Sequence, residues 1–270
     1  MHWKRWITAL ILVPPLVWLI LKAGAGIFAV TMGLAGTLCL WEYYRVTFQG
    51  HTPAVSSGFQ FWGYGCGVLV IAAAHSNNTM ALMLALALNL TGAAVMSIFR
   101  FRNNADAPLV AVKQVFGVLY ISVFISFLVL LRNTADGPLW VLFLFWVIAW
   151  GDTGALYVGT LWGRHKLCPS VSPKKTVEGA AGGLAANLVF AWLFKLLFFH
   201  SMAGVTCTLF ALIVGVLGQL GDLFESEFKR AAGVKDSSNL LPGHGGFLDR
   251  LDALLLAAPA AFFLKEFVLP

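Results

Sequence analysis

Nine apolar runs, separated by short polar or turn-forming stretches, organise this chain: 6–22, 25–44, 60–74, 79–98, 112–131, 138–150, 180–199, 204–220 and 247–268. A helix needs about 20 apolar residues to cross a bilayer, and several of these runs are shorter. The run at 138–150 extends past Trp150 and carries Asp152 to the bilayer or its edge. Gly and Pro inside the runs are tolerable where neighbouring helices cover the freed backbone groups. The pattern predicts an all-α polytopic membrane protein with about nine transmembrane helices. We treat 1–270 as a single membrane domain, with N-terminal helices over 1–131 and a more polar half over 132–270.

Composition agrees. The chain is 59% hydrophobic and 11% charged, against about 45–50% apolar and about 25% charged in soluble domains. A soluble domain of this composition lacks the polar surface to stay dissolved. The net charge of +6 suits anions or anionic headgroups, but the basic residues gather at loops, not in a nucleic-acid-binding patch. Cys39, Cys66, Cys168 and Cys207 are scattered, with no spacing that suggests zinc or a disulfide framework. Lys4 and Arg5 before an apolar run resemble a signal peptide, but no small-residue cleavage site follows and Pro14-Pro15 interrupts the run. A retained first helix is the expectation.

Basic loops set the orientation. With the N-terminus in the cytoplasm, the cytoplasmic side holds Lys4, Arg5, Arg45, Arg100, Arg102, Lys113, Arg164, Lys166, Lys174, Lys175, Lys229, Arg230, Lys235 and Arg250, which is 14 of 18 basic residues. Lys22, Arg132, Lys195 and Lys265 fall on the other side. Nine spans would place the C-terminus outside.

Two polar segments then share the cytoplasmic face. Gly221–Ala253 carries ten of the chain's 30 charged residues in 33 positions. If the preceding helix continues to Arg230, then Asp222, Ser226 and Lys229/Arg230 lie on one face. That face offers a carboxylate for a cation, a hydroxyl, and cations for phosphate. The same spacing also suits a solvated helix with a Glu225–Lys229 pair. Lys235-Asp236 and the run SSNLLPGHGG follow, with His244 among glycines that either let backbone approach a ligand or make a surface turn. Asp249, Arg250 and Asp252 open the last apolar run. Charges there cost a few kcal/mol against lipid and should face a polar cavity. Acidic groups beside phosphate-binding cations suit Mg²⁺.

The second segment, 150–179, contributes Asp152, Arg164, His165 and Lys166, then Ser172-Pro173-Lys174-Lys175-Thr176 and Glu178. Ser172 as N-cap and Pro173 as first helical residue predict a helix start. Lys174, Lys175 and Thr176 at such a start would make an anion site. The lysines also fit a purely topological role.

The run Ser226-Glu227-Phe228-Lys229-Arg230, then Lys235-Asp236, then Pro242-Gly243-His244-Gly245-Gly246-Phe247-Leu248-Asp249-Arg250-Leu251-Asp252, resembles the signature of the phosphatidate cytidylyltransferase family. The segment GDTGALYVGTLWGRHKLCPSVSPKKTVEG is similar to that family's second shared region. The N-terminal half resembles it only as a series of apolar helices, and Ala253 stands where many relatives carry Ser. The resemblance implies transfer of the cytidylyl group of CTP to phosphatidic acid, with Mg²⁺ and a K⁺ alongside it, in the bacterial cytoplasmic membrane. It implies metal at Asp222 and Asp249. Lys229, Arg230, Lys235 and Arg250 would hold phosphates, joined by Lys174 and Lys175. Thr176, Ser226, Asp236, Asp152 and His244 complete the expected site, 132–270 being the catalytic half. An ion-coupled transporter and a CTP-dependent lipid kinase are the competing readings. The oligomeric state is open, a homodimer included.

Overall fold

The computed structural model describes residues 13–50, 53–240 and 245–268. Its helices follow the apolar runs. Residues 13–21 are helical (α1), and residues 6–12 of the first run lie outside the described residues. Then come α2 (Ala25–Thr47), α3 (Pro53–His75), α4 (Thr79–Phe101), and α5 (Ala107–Gly117), which continues through a π turn at Val118–Val123 into α6 (Phe124–Asn133). The second half contains α7 (Gly137–Trp162), strands β1 (Lys166–Cys168) and β2 (Ser172–Thr176), α8 (Val177–Phe198), α9 (Gly204–Ala231) and α10 (Leu248–Phe263) with a terminal π turn, Leu264–Val268.

Seven helices among the described residues are long and apolar enough to cross a membrane. They are α2, a stretch of α3 from Ser56, α4, the continuous α5–α6 rod, α7, α8 and α9. The chain is thus an integral membrane protein with an all-α fold. Its bundle exterior is apolar, with Met80 and Phe99 on α4 78% and 79% exposed, as lipid-facing positions should be. Buried polar groups are paired between helices. Tyr44 donates to the Gln114 carbonyl at 3.3 Å, and Gln114 Nε2 donates to Asn89 Oδ1 at 2.8 Å, which links α2, α4 and α5. Out of reach of water, such groups must be satisfied by neighbouring helices.

Short connections make consecutive helices alternate in direction, so helix ends gather on two faces. On one face Lys113 Nζ donates to the Thr47 carbonyl at 2.7 Å. On the opposite face Arg132 donates to the Ala23 carbonyl at 2.9 Å and Asn133 to that of His75 at 3.1 Å. The first face also receives the end of α7, the hairpin, the end of α9 and the start of α10.

Local structure departs from expectation at one place. Ser172 does not cap a helix. Residues 172–176 form β2, paired antiparallel with β1 through Lys166–Thr176 and Cys168–Ser172. The helix begins at Val177, and Thr176 caps it by accepting from the Gly179 amide at 3.1 Å. Val171 N–H closes the tight turn onto the Cys168 carbonyl at 3.3 Å. Pairing with β1 wins over the local Ser-Pro signal.

Candidate active site

A cavity of about 510 Å³ opens where α7, the hairpin, α8, α9 and α10 meet. Most of the residues singled out from the sequence line it: Asp152, Lys174, Lys175, Thr176, Asp222, Lys229, Asp236, Asp249 and Arg250. Asp252, Gln219, Thr160 and the small or apolar residues Ala155, Leu156, Gly159, Leu167, Gly179 and Ala180 complete the lining.

Each element presents its charge for a local reason. α7 continues beyond the apolar run to Trp162, so Asp152 sits within it. α9 runs unbroken to Ala231, which brings Asp222, Ser226 and Lys229 onto one side. Ser226 Oγ donates to Asp222 Oδ1 at 3.4 Å, and Lys175 Nζ meets Asp222 Oδ2 at 2.7 Å. Gly221 allows α10 to approach α9 closely: a Cβ there would stand 2.4 Å from the Asp252 carbonyl oxygen. That approach sets Asp252 beside Asp222.

Lys229 is the pivot. Its ammonium contacts the buried Glu225 one turn earlier and Asp249 Oδ1 at 2.5 Å. Asp249 Oδ2 accepts from the Gly246 amide at 2.7 Å, the Ser237 amide at 3.1 Å and the Ser237 hydroxyl at 2.9 Å. Burial alone would raise the Asp249 pKa, but Lys229 and these donors outweigh it and hold the carboxyl below its ordinary range.

Three carboxylates face one another across the cavity from three helices: Asp152 on α7, Asp222 on α9 and Asp252 on α10, close enough for their charges to interact. Such like charges favour a bound cation. No three Asp, Glu, His or Cys side chains among the described residues converge closely enough to cage a metal by themselves. The donor set fits a hard cation such as Mg²⁺, which takes one or two carboxylates and completes its shell with water and substrate phosphates. Both carboxylates expected to bind metal are paired at both oxygens; Asp249, with Lys229, the Gly246 amide and Ser237, is the more committed of the two.

Other expected residues stand apart from the cavity. Arg230 turns away from Lys229, with Nε donating to the Val171 carbonyl and NH1 to that of Val234, each at 3.1 Å. It fastens the hairpin turn to the end of α9. Lys235 is exposed and does not line the cavity. Ser226 is buried and acts through Asp222. His244 lies outside the described residues. Asp252, expected from the sequence to face a polar cavity but assigned no role at the site, lines the cavity. Its i,i+3 spacing from Asp249 was the available signal.

Fold and site define a polytopic membrane protein whose cationic and acidic cavity suits a phosphate-bearing substrate and a divalent cation. A model of the cytidylyltransferase family matches residues 3–268, and the chain belongs to that family. It is 44% identical over 147 residues to the phosphatidate cytidylyltransferase of Bacillus subtilis, covering 54% of this chain and 55% of that protein. It is 44% identical over 135 residues to that of Staphylococcus saprophyticus, covering 50% and 52%. The chain thus spans about half the length of these two relatives. The match to the Staphylococcus aureus enzyme is longer, 34% identical over 197 residues and 73% of that protein.

Proposed function

We propose that the protein transfers the cytidylyl group of CTP to phosphatidic acid, giving CDP-diacylglycerol and pyrophosphate, in the bacterial cytoplasmic membrane with its site facing the cytoplasm. One observation carries this reading: a single cavity joins Lys174, Lys175, Lys229 and Arg250 with Asp152, Asp222 and Asp252 and is walled on one side by apolar residues. Leu156 lines this cavity and is 61% exposed on α7, beside the exposed Leu161 and Trp162. A lipid can keep its acyl chains against that helix while its phosphate enters the charged region.

The chemistry needs little proton transfer. An anionic phosphatidate oxygen attacks the α-phosphorus of CTP, forming the new P–O bond, while the bond to the bridging oxygen breaks and pyrophosphate leaves with its electrons. Catalysis is positioning and charge stabilisation. Lys174 and Lys175 reach in from the hairpin, and Arg250 from the start of α10, to bind phosphate oxygens. Lys229, held between Glu225 and Asp249, fixes the α9–α10 junction. Asp222 and Asp249 were the metal pair implied by resemblance; the geometry supports Asp222, with Asp152 and Asp252 facing it, and leaves Asp249 as the group that holds the Ser237 and Gly246 backbone amides. Bound Mg²⁺ supplies charge neutralisation on the phosphates.

The test is purified protein in phosphatidate-containing bilayers with α-labelled CTP and Mg²⁺. Label should enter the lipid as pyrophosphate is released. Label entering lipid only from γ-labelled CTP indicates a kinase, and nucleotide-independent uptake into sealed vesicles a transporter. Either result rejects the proposal. Omitting K⁺ from the same assay tests the second cation.

A further inference from the structure

Glu42 lies outside the cavity, near the end of α2 and 195 residues before Ser237 in the chain. Its residue is 0% exposed. One carboxylate oxygen accepts from the Ser238 hydroxyl and from the Phe247 amide at 2.8 Å. The other accepts from the Leu248 amide at 2.6 Å and the Ser237 hydroxyl at 3.2 Å. Three uncharged donors therefore converge on one buried carboxylate, with the Ser237 hydroxyl, whose single proton is shared with Asp249, as a fourth polar neighbour; the carboxylate would otherwise be strongly disfavoured away from water.

These donors come from two places. Phe247 is the N-cap and Leu248 the first residue of α10, where amides lack helical partners and the helix dipole favours an anion. Glu42 thus caps α10 from another helix. Ser237 and Ser238 belong to the other flank of the connection between α9 and α10. The Ser237 hydroxyl stands between Glu42 and Asp249, reaching the latter at 2.9 Å. Gly246 makes the closeness possible: a Cβ there would be 1.9 Å from Ser237 Oγ and 2.6 Å from Glu42 Oε1.

We propose that Glu42 is a positioning residue for the transfer reaction: through the Ser237–Ser238 and Gly246–Leu248 flanks it sets where Asp249, Arg250 and Asp252 stand. Glu42 touches no substrate. It ties the N-terminal helices to the charged site, and it rests on the reaction proposed above. The lysines of the hairpin do not depend on it, so loss of Glu42 acts on turnover more than on CTP binding.

The experiment uses the full chain in nanodiscs, comparing wild type, Glu42→Gln and Glu42→Asp. Glu42→Gln keeps the shape but turns one acceptor into a donor facing donors. The expected result is a fall in kcat on the order of 100-fold, the loss a small misplacement can cause, with KM for CTP within about threefold. Glu42→Asp recovers part of the turnover. Hydrogen exchange, measured without nucleotide or metal, should quicken by about tenfold or more at the Ser237, Gly246, Phe247 and Leu248 amides while α7 keeps its protection. Near-normal kcat in Glu42→Gln overturns the proposal, as does unchanged exchange at those amides. An inactive wild type instead rejects the proposed reaction, while the exchange result still decides whether Glu42 anchors the loop. If Glu42→Gln does not fold, Ser238→Ala decides: a loss of kcat with faster exchange supports the role, and wild-type values for either overturn it.

Discussion

Lys229 shows how one cation can organise this site. Its side chain is 11% exposed and touches Glu225 at 1% and Asp249 at 6%. Removing the ammonium leaves two buried carboxylates without a counter-ion, a class of change that costs about 3–5 kcal/mol. Lys229→Met should therefore lower the unfolding temperature sharply and abolish turnover. Adding Glu225→Gln removes one of the stranded charges. The double variant should regain much of the stability without regaining activity, and thermal unfolding beside the α-label assay measures both. A double variant no more stable than Lys229→Met would show that Glu225 is not the group Lys229 neutralises. Asp249 gives a pH prediction with a definite sign. Its folded pKa is lowered, so the stability it contributes is present above the ordinary carboxylate range, near 3.8, and is lost only as pH falls through the lower folded value. Protection of the Gly246 and Ser237 amides should persist at pH 5. Loss already at pH 5 would contradict the lowered pKa.

Elements decide what individual residues can reach. Gly221 lets α10 approach within contact of α9, and Gly221→Ala must push Asp252 away from Asp222 or shift the helix. It should cost activity heavily while most of the bundle stays folded, read as lost turnover with far-ultraviolet circular dichroism unchanged. Wild-type turnover in Gly221→Ala would mean that this approach is not required. The continuation of α9 to Ala231 was legible, because Asp222, Ser226 and Lys229 recur at helical spacing. The extension of α7 through Asp152 was legible too, from the apolar pattern around Trp150. The hairpin was not. Ser172-Pro173 carries a strong local helix-start signal, and the pairing that overrides it depends on Lys166–Cys168, which precedes the turn. Lys174 and Lys175, expected to hold phosphates from a helix start, line the cavity from a strand instead. Arg230 shows the converse. Helical spacing put it beside Lys229, yet carbonyl groups at the hairpin turn and the end of α9 hold it away from the cavity.

At the scale of the whole molecule, the N-terminal helices read in the sequence only as apolar runs, and Glu42 was invisible there. In the stretch WEYYR its charged neighbour is Arg45 at i,i+3, which reads as a local helix pair, while its observed partners lie about 200 residues further along the chain. Tertiary proximity alone makes it matter. What the runs did convey was alternation, and alternation gathers the hairpin and the ends of α2, α4, α7 and α9 on one face, with 12 of the 16 described basic residues on the same side. The positive-inside tendency predicts that this face is cytoplasmic, the side from which the proposed reaction would draw CTP. The prediction is tested by single cysteines in a background carrying Cys168→Ser, since Cys39, Cys66 and Cys207 are buried. Asn103→Cys follows α4 on the site face. Ala135→Cys and Ser201→Cys lie in the connections on the opposite face, and all three positions are exposed. A membrane-impermeant maleimide added to spheroplasts should label Ala135→Cys and Ser201→Cys and spare Asn103→Cys, and inverted vesicles should reverse the pattern. Labelling of Asn103→Cys from outside would place the charged cavity away from the nucleotide pool. The orientation, and with it the supply of CTP to this site, would then have to be abandoned.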